Sequence, residues 1–216
     1  MAEWAYALAS VAELKQVLTI DSAQVGQDSV LETVLKRASE AVEAYLGRHV
    51  VTRGSITEYH SPDRSLSEIW LLQWPVISIT TVKEGGWVNG SWTADVTLLT
   101  TSGDYLSLST EDGARLIRLS AGQPWSWPAG FDAVQVVYSA GYATTSVVPG
   151  ALKDVCLSLA SRKYSQIRRG GDFSAQTVSD AGGSVTRFLP TDLLYLEQQQ
   201  IFGWRNLRQS TTGRAA

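Results

Sequence analysis

The sequence holds one cysteine, one methionine, two histidines and six prolines in 216 residues. A lone Cys156 excludes an intramolecular disulfide framework and any Cys-rich zinc site, as expected for a chain that folds in a reducing cytosol. Long apolar runs are absent: stretches such as Ile69 to Leu72 fall far short of the roughly 20 residues a membrane helix requires. Met1 to Ser10 carries Glu3 and no Lys or Arg, so no charged-then-apolar signal segment opens the chain. The expectation is a soluble cytosolic product of ordinary composition, large enough to bury roughly 70% of its unfolded surface without a metal or disulfide.

Recognised chemistry is also missing. His49 and His60 have no partner at metal-ligand spacing, and His49 sits beside Arg48 at a helix end, where positive charge is favoured. There is no G-x-S-x-G elbow, no Walker sequence and no G-x-G-x-x-G after a strand. The Gly pairs beginning at 85, 170 and 182 lie in polar stretches that read as turns, and the Glu111–Asp112 pair falls in another turn, where solvation is the default. Cys156 lies on an apolar helix face and reads as a small buried hydrophobe. No convergent acid, base and nucleophile set exists, so the chain is read as a non-enzyme with no cofactor and no metal.

The net charge of −3 argues against general nucleic-acid binding, but its distribution is uneven. Residues 1–150 carry 9 basic against 16 acidic side chains, and residues 151–216 carry 9 against 5. The second balance suits either a basic docking arm or a solvated surface.

Periodicity divides the chain into helical ends and a β-rich middle. Ser10 to Glu13 is a capping box before Leu14, Val17 and Leu18. Asp28 is placed to cap a helix whose apolar residues run from Val30 and Leu31 through Val34, Leu35, Ala38 and Val42 to Leu46, stopped by Gly47. From Val50 to Tyr142 the period changes to two, in short strands rich in β-branched and aromatic residues. Glu84 to Gly86, Asn89–Gly90 and Pro124 to Gly130 read as turns between them. Pro149 opens a third helix with a stripe of Leu152, Val155, Cys156, Leu159, Ala160 and Ile167, ended at Gly170. Residues 175–178 and 184–188 are placed to form a hairpin, and Thr191 to cap a last short helix with Leu193, Leu194, Leu196 and Ile201. The predicted fold is α+β: an antiparallel helical core (about 10–19, 28–47 and 149–169), an antiparallel β insertion (about 50–142) and an extended C-terminal arm. The domain reading is a core over 1–170 and a hairpin and docking arm over 171–216.

Eight tryptophans are unusual, and Trp70, Trp74, Trp87, Trp92, Trp125 and Trp127 all lie in the β region. Aromatics there pack small β cores and fill protein interfaces, or they stack sugars in a carbohydrate-binding module. Arg168 and Arg169 extend a helix C-terminus, favourable for local reasons alone, or face DNA or an acidic partner.

Three stretches taken together resemble the head-to-tail adaptor (connector) proteins of tailed bacteriophages. They are the helix end Ala44-Tyr-Leu-Gly-Arg48, the strand pair in Leu72-Gln-Trp-Pro-Val-Ile-Ser-Ile-Thr-Thr-Val82, and Val136-Val-Tyr-Ser-Ala-Gly-Tyr-Ala143 followed by Val148-Pro149 and a helix through Ala160. The resemblance covers roughly residues 10–170. It implies a structural virion protein, made in the host cytoplasm and located in the neck. About twelve subunits would form a ring under the portal protein, extend the DNA channel and offer a platform to the next neck or tail-completion protein. Genomic DNA would pass through without sequence-specific binding, and no membrane is involved. The resemblance further suggests portal docking by Phe202, Trp204, Arg205, Leu207 and Arg208, and a channel-facing position for Arg168 and Arg169. Channel charge should be modest, because DNA must slide without being gripped.

Overall fold

The computed structural model describes residues 4–63, 66–98, 103–110, 113–168, 175–180, 183–188, 193–205 and 213–215, the strands within 175–188 and 213–215 by backbone alone. The chain divides into two compact units, residues 1–46 with 144–203 and residues 47–143 with 204–216. It is a mixed α and β protein.

The first unit is built on helices α1 (Val11–Val17), α2 (Asp28–Leu46), α3 (Gly150–Arg168) and α4 (Tyr195–Ile201). α1 begins in the predicted capping box: Glu13 N–H donates to Ser10 Oγ at 3.2 Å and Ser10 N–H donates to Glu13 Oε2 at 2.7 Å. Burial disfavours the Glu13 charge, but the Ser10 N–H and the Lys153 ammonium at 3.0 Å outweigh it and hold this carboxyl below its ordinary range. Asp28 is the first residue of α2, and its carboxylate pairs with the buried Lys15 ammonium at 2.7 Å. Pro149 accepts at its carbonyl from Leu152 and Lys153 N–H, so it starts α3 without needing a donor of its own.

α2 and α3 pack along the predicted stripes. Leu31, Val34, Leu35, Ala38, Val42 and Leu46 are buried, as are Leu152, Val155, Cys156, Leu159 and Ala160. Each such aliphatic side chain contributes about 1.5–3 kcal/mol by leaving water. Cys156 Sγ lies 3.4 Å from Ser39 Oγ, and burial pushes its thiol up to about 12. Two stripe positions differ from expectation. Val30 and Ile167 are exposed, and Tyr164 takes the last buried place on α3, where its hydroxyl donates to Gln27. The predicted hairpin is present as β9 (Ala175–Asp180) and β10 (Gly183–Phe188), paired in continuous antiparallel register.

The second unit packs two antiparallel sheets. Introduced in chain order, its strands are β1 (Ser55–His60), β2 (Glu68–Leu71), β3 (Val76–Val88), β4 (Ser91–Leu98), β5 (Tyr105–Thr110), β6 (Gly113–Ser120), β7 (Gln123–Pro124), β8 (Val134–Ala140) and β11 (Gly213–Ala215). One sheet runs β11-β1-β8-β3-β4; the other runs β2-β6-β5, with β7 on β6. Their shared core holds Ile69, Leu71, Trp74, Leu116, Trp127, Val134, Val136 and Tyr138. β8 alternates buried and half-buried residues along its whole length, the period-two signature of a sheet with one covered face.

Glu84 to Gly86 is not a turn. β3 runs through it to Val88, and the chain reverses only at Asn89–Gly90, where φ values of 50° and 79° form a two-residue hairpin turn. Gly85 sits at a bulge in the β3–β4 register, and a Cβ there would lie 2.1 Å from the Thr93 carbonyl oxygen. The glycine marks a close backbone approach inside a strand, which sequence alone does not separate from a loop.

Candidate functional site

Three parts of the stretches that carried the family resemblance, residues 47–48, 72–82 and 136–143, lie in the second unit and are tied together there. Arg48, just past the end of α2, is buried; its guanidinium stacks over the Trp74 ring at 4.4 Å and donates to the Trp74 carbonyl at 2.5 Å. Its Nε donates to the Trp204 carbonyl at 2.9 Å. The next residue, His49, donates its N–H to Gln73 Oε1 at 2.8 Å. The Trp74–Pro75 peptide bond is cis, and the Pro75 carbonyl accepts from Gly141 N–H at 2.8 Å. Tyr142 N–H donates to the Val50 carbonyl at 2.7 Å, and Thr52 N–H returns a bond to the Tyr142 carbonyl at 3.1 Å. These motifs are a structural clamp at one end of a sheet.

A second polar cluster lies inside that unit. Glu58, His60 and Tyr138 are all fully buried. Tyr138 hydroxyl donates to Glu58 Oε1 and accepts from Gln73 N–H at 3.0 Å. Leu72 N–H donates to Glu58 Oε2 at 3.1 Å, and His60 Nε2 stands 3.3 Å from the same oxygen. Burial, and next the Glu58 carboxylate, raise the Tyr138 phenol well above its usual range, so it remains a donor. The cluster holds the backbone of residues 72 and 73. Among the described residues, no group of histidine, cysteine and carboxylate side chains is arranged to hold a metal ion. Among the described residues, no helix is long and apolar enough to cross a membrane.

The tryptophans divide between two uses. Trp74 and Trp127 are core residues, and Arg115 stacks on Trp70. Trp87 and Trp92 turn their indole N–H groups onto Asp132, at 3.1 Å to Oδ2 and 2.8 Å to its carbonyl, and both rings contact Tyr59. Beside this hub Phe131 is 72% exposed and Trp87 49%, and Trp125 is exposed elsewhere in the unit. Half-exposed aromatics anchored by a hydrogen bond are the composition of a protein interface.

The residues suggested for portal docking fall in different places. Phe202 follows α4 in the first unit and is exposed. Trp204 and Arg205 belong to the second unit, Trp204 half-buried and Arg205 exposed. Leu207 and Arg208 lie outside the described residues, as does Arg169. Arg168 is exposed in the last turn of α3. The final stretch does not stand free throughout: β11 pairs with β1, matching Gly213, Arg214 and Ala215 with His60, Tyr59 and Glu58.

α4 adds Tyr195 and Glu197 to the residues predicted for the last helix. Tyr195 is 70% exposed and Leu196 78%, with Leu194 also exposed, so the helix presents an apolar strip outward while Ile201 is buried. Glu197 fastens the helix to α3. Its carboxylate receives both terminal nitrogens of Arg162, at 2.6 and 2.8 Å, with Ser158 Oγ at 2.7 Å and Leu194 N–H at 2.9 Å. Burial raises its pKa, but the Arg162, Ser158 and Leu194 hydrogen bonds outweigh burial and leave it below the ordinary carboxylate value of 4.5. The stabilisation is therefore complete above 4.5 and fades as pH falls through the lowered value. Urea titrations between about pH 6 and about pH 3 are expected to show a steeper acid loss in the native chain than in Glu197→Gln. The signal available in sequence was a glutamate three residues into a short helix, the position that receives the first free N–H groups.

No protein-family model matches the sequence, and no curated protein matches it. The structure does have counterparts. It is similar to a chain in the neck of an empty gene transfer agent particle computed with C6 symmetry, at 18% identity and TM-score 0.57, over 93% of this chain and 91% of that one. It is similar to a chain in the virion of a native gene transfer agent particle, at 20% identity and TM-score 0.59, over 93% and 91%. It is also similar to a chain in the neck of the native particle computed with C12 symmetry, at 18% identity and TM-score 0.53, over 96% and 93%. The α and β elements described above thus make up, over almost the whole chain, the fold of chains found in gene transfer agent necks and virions.

Proposed function

We propose that this chain is a structural neck protein of a phage-like particle, a head-to-tail adaptor that is not an enzyme. The observation that carries the reading is the fold shared with neck chains over more than nine-tenths of this chain's length. The motif resemblance to phage adaptors, found independently in the sequence, supports it. In this reading the subunits form a ring of about twelve below the portal. The C6 and C12 symmetry of the neck structures supports such self-assembly. The helices are the ring-packing core, residues 50–142 are an insertion, and residues 171–216 are a hairpin and docking arm. Phe202, Trp204, Arg205, Leu207 and Arg208 contact the portal, joined by Tyr195 and Leu196. Arg168 and Arg169 face the channel, through which genomic DNA passes without sequence-specific contacts. The next neck or tail-completion protein docks on the opposite side. The product is made in the host cytoplasm and resides in the virion neck.

Cryo-electron microscopy of the purified chain mixed with the portal encoded beside it tests this. Ring density beneath the portal, with α4 and the C-terminal segment against it, is the expected result; a bare portal with free subunits would overturn the adaptor assignment. Removing residues 203–216 also removes β11 from β1, so a folded point variant is needed beside the truncation. Phe202→Ser combined with Arg205→Glu is expected to weaken portal binding roughly tenfold or more, about 1.4 kcal/mol. Unchanged binding by both variants removes the docking assignment.

A further inference from the structure

The hairpin β9–β10 is a sheet of two strands whose outer edges pair with no other strand among the described residues. A two-stranded sheet by itself is marginal in water and needs further strands or a packed face. Its register pairs offer little for a packed face: Val178 with Val185 and Ala175 with Phe188 are the apolar pairs, and the rest are Gly183–Asp180, Ser184–Ser179, Thr186–Thr177 and Arg187–Gln176. The edges carry few of the usual guards, Asp180 and Arg187 being the charged residues of the two strands. The strands contain no proline and no lysine, and their six register pairs run without a bulge, whereas exposed edges are ordinarily blunted by those devices. The hairpin therefore offers two backbone edges of equal length that pair with no other strand among the described residues.

We infer that these edges pair between copies of this chain, β9 of one subunit adding to β10 of the next. The inference rests on the ring proposed above. A foreign extended peptide would satisfy one edge and leave the other open. Copies related by a rotation satisfy both edges of every hairpin, and a closed ring leaves none. The strand sense permits this without rearrangement: β9 and β10 are antiparallel, so placing β10 of one copy beside β9 of the next continues the antiparallel alternation. The dimensions agree. With strands about 4.8 Å apart and tilted about 40°, hairpins from about twelve copies close at a backbone diameter of roughly 48 Å, a bore that clears a DNA duplex. The hairpins would then form a continuous up-and-down barrel in the channel wall, recognising each other through main-chain hydrogen bonds with little demand on side chains.

Cysteine cross-linking in the ring assembled on the portal tests the pairing. The native thiol is buried and raised to about 12, so introduced cysteines are the reactive ones. Thr177→Cys places a thiol on β9 and Thr186→Cys one on β10. Oxidising rings assembled from a mixture of the two variants is expected to give disulfide-linked dimers at roughly tenfold the yield of either variant alone, because only unlike strands lie side by side. Equal yields from a single variant would mean that like strands meet, and would overturn the head-to-tail arrangement. In the unmodified chain, the outward-facing amides of 175–188 are expected to exchange at least about tenfold more slowly in the ring than in the free subunit. A ring that forms on the portal with neither cross-links nor added protection rejects the barrel and keeps the adaptor reading. Failure of any ring to form rejects both.

Discussion

Replacing Gly141 by alanine is expected to lower the unfolding free energy of the β unit by about 2–4 kcal/mol. Gly141 has φ of 101°, a conformation that L side chains rarely adopt. A Cβ at this position would also lie 2.8 Å from the Val50 carbonyl oxygen and 2.9 Å from the Thr52 nitrogen. Those atoms belong to backbone held by reciprocal hydrogen bonds with Tyr142, so they have no side-chain freedom with which to yield. Gly54 provides the control, because it has a similar φ of 99° and nothing within 4 Å of a built Cβ. Gly54→Ala should cost only the left-handed backbone penalty, about 1–2 kcal/mol. The difference between the two, read from urea midpoints at constant slope, isolates the close approach. Equal losses would show that the contact with residues 50–52 relaxes freely and that the Ser-Ala-Gly-Tyr stretch has no packing requirement for glycine.

Glu58→Ala is expected to cost about 3–5 kcal/mol, the other large effect in the molecule. Truncation removes the acceptor of the Tyr138 hydroxyl and of Leu72 N–H, and it leaves His60 without its facing carboxylate, all in a site closed to water. Each orphaned buried group contributes about 1–3 kcal/mol, less whatever the site recovers by collapsing. Tyr138→Phe is the milder companion: it strands one Glu58 oxygen and Gln73 N–H but keeps the ring in the core, for a loss of about 1–3 kcal/mol. If the two residues act as one network, the double variant will lose less than the sum of the singles. Strict additivity would mean that Glu58 and Tyr138 are stabilised independently. Because the cluster is distant in role from any proposed docking residue, neither change is expected to alter portal binding by protein that remains folded.

Both expected losses concern residues in or beside the stretches that resemble phage adaptors. Arg48, Trp74–Pro75 and Gly141 lie far apart in sequence and are tied together by main-chain bonds and one stacked guanidinium. Such positions hold a fold together and say little about which partner the surface meets. The exposed apolar residues are of another kind: Tyr195 and Leu196 on α4, and Phe131 with Trp87 beside Asp132.

What the sequence determined by itself is whatever repeats with a local period or obeys a local rule. The helices predicted at about 28–47 and 149–169 are observed as Asp28–Leu46 and Gly150–Arg168, because apolar residues at three- and four-residue steps require one face to be buried wherever the helix lies. The Ser10–Glu13 box, the Asn89–Gly90 turn and the hairpin beyond residue 175 follow from chemistry within a few residues. Tertiary structure decided the rest. Glu84 to Gly86 became strand because Thr93 crosses close to Gly85, and Ile167 was left exposed because the α2 stripe no longer covers α3 beyond Tyr164. Glu58 is buried because the Tyr138 hydroxyl and the Leu72 N–H, from other segments, supply its partners. Polar burial of that kind has no periodic signature: it depends on donors and acceptors brought together by strand pairing, and the Tyr138–Glu58 bond spans 80 residues of sequence.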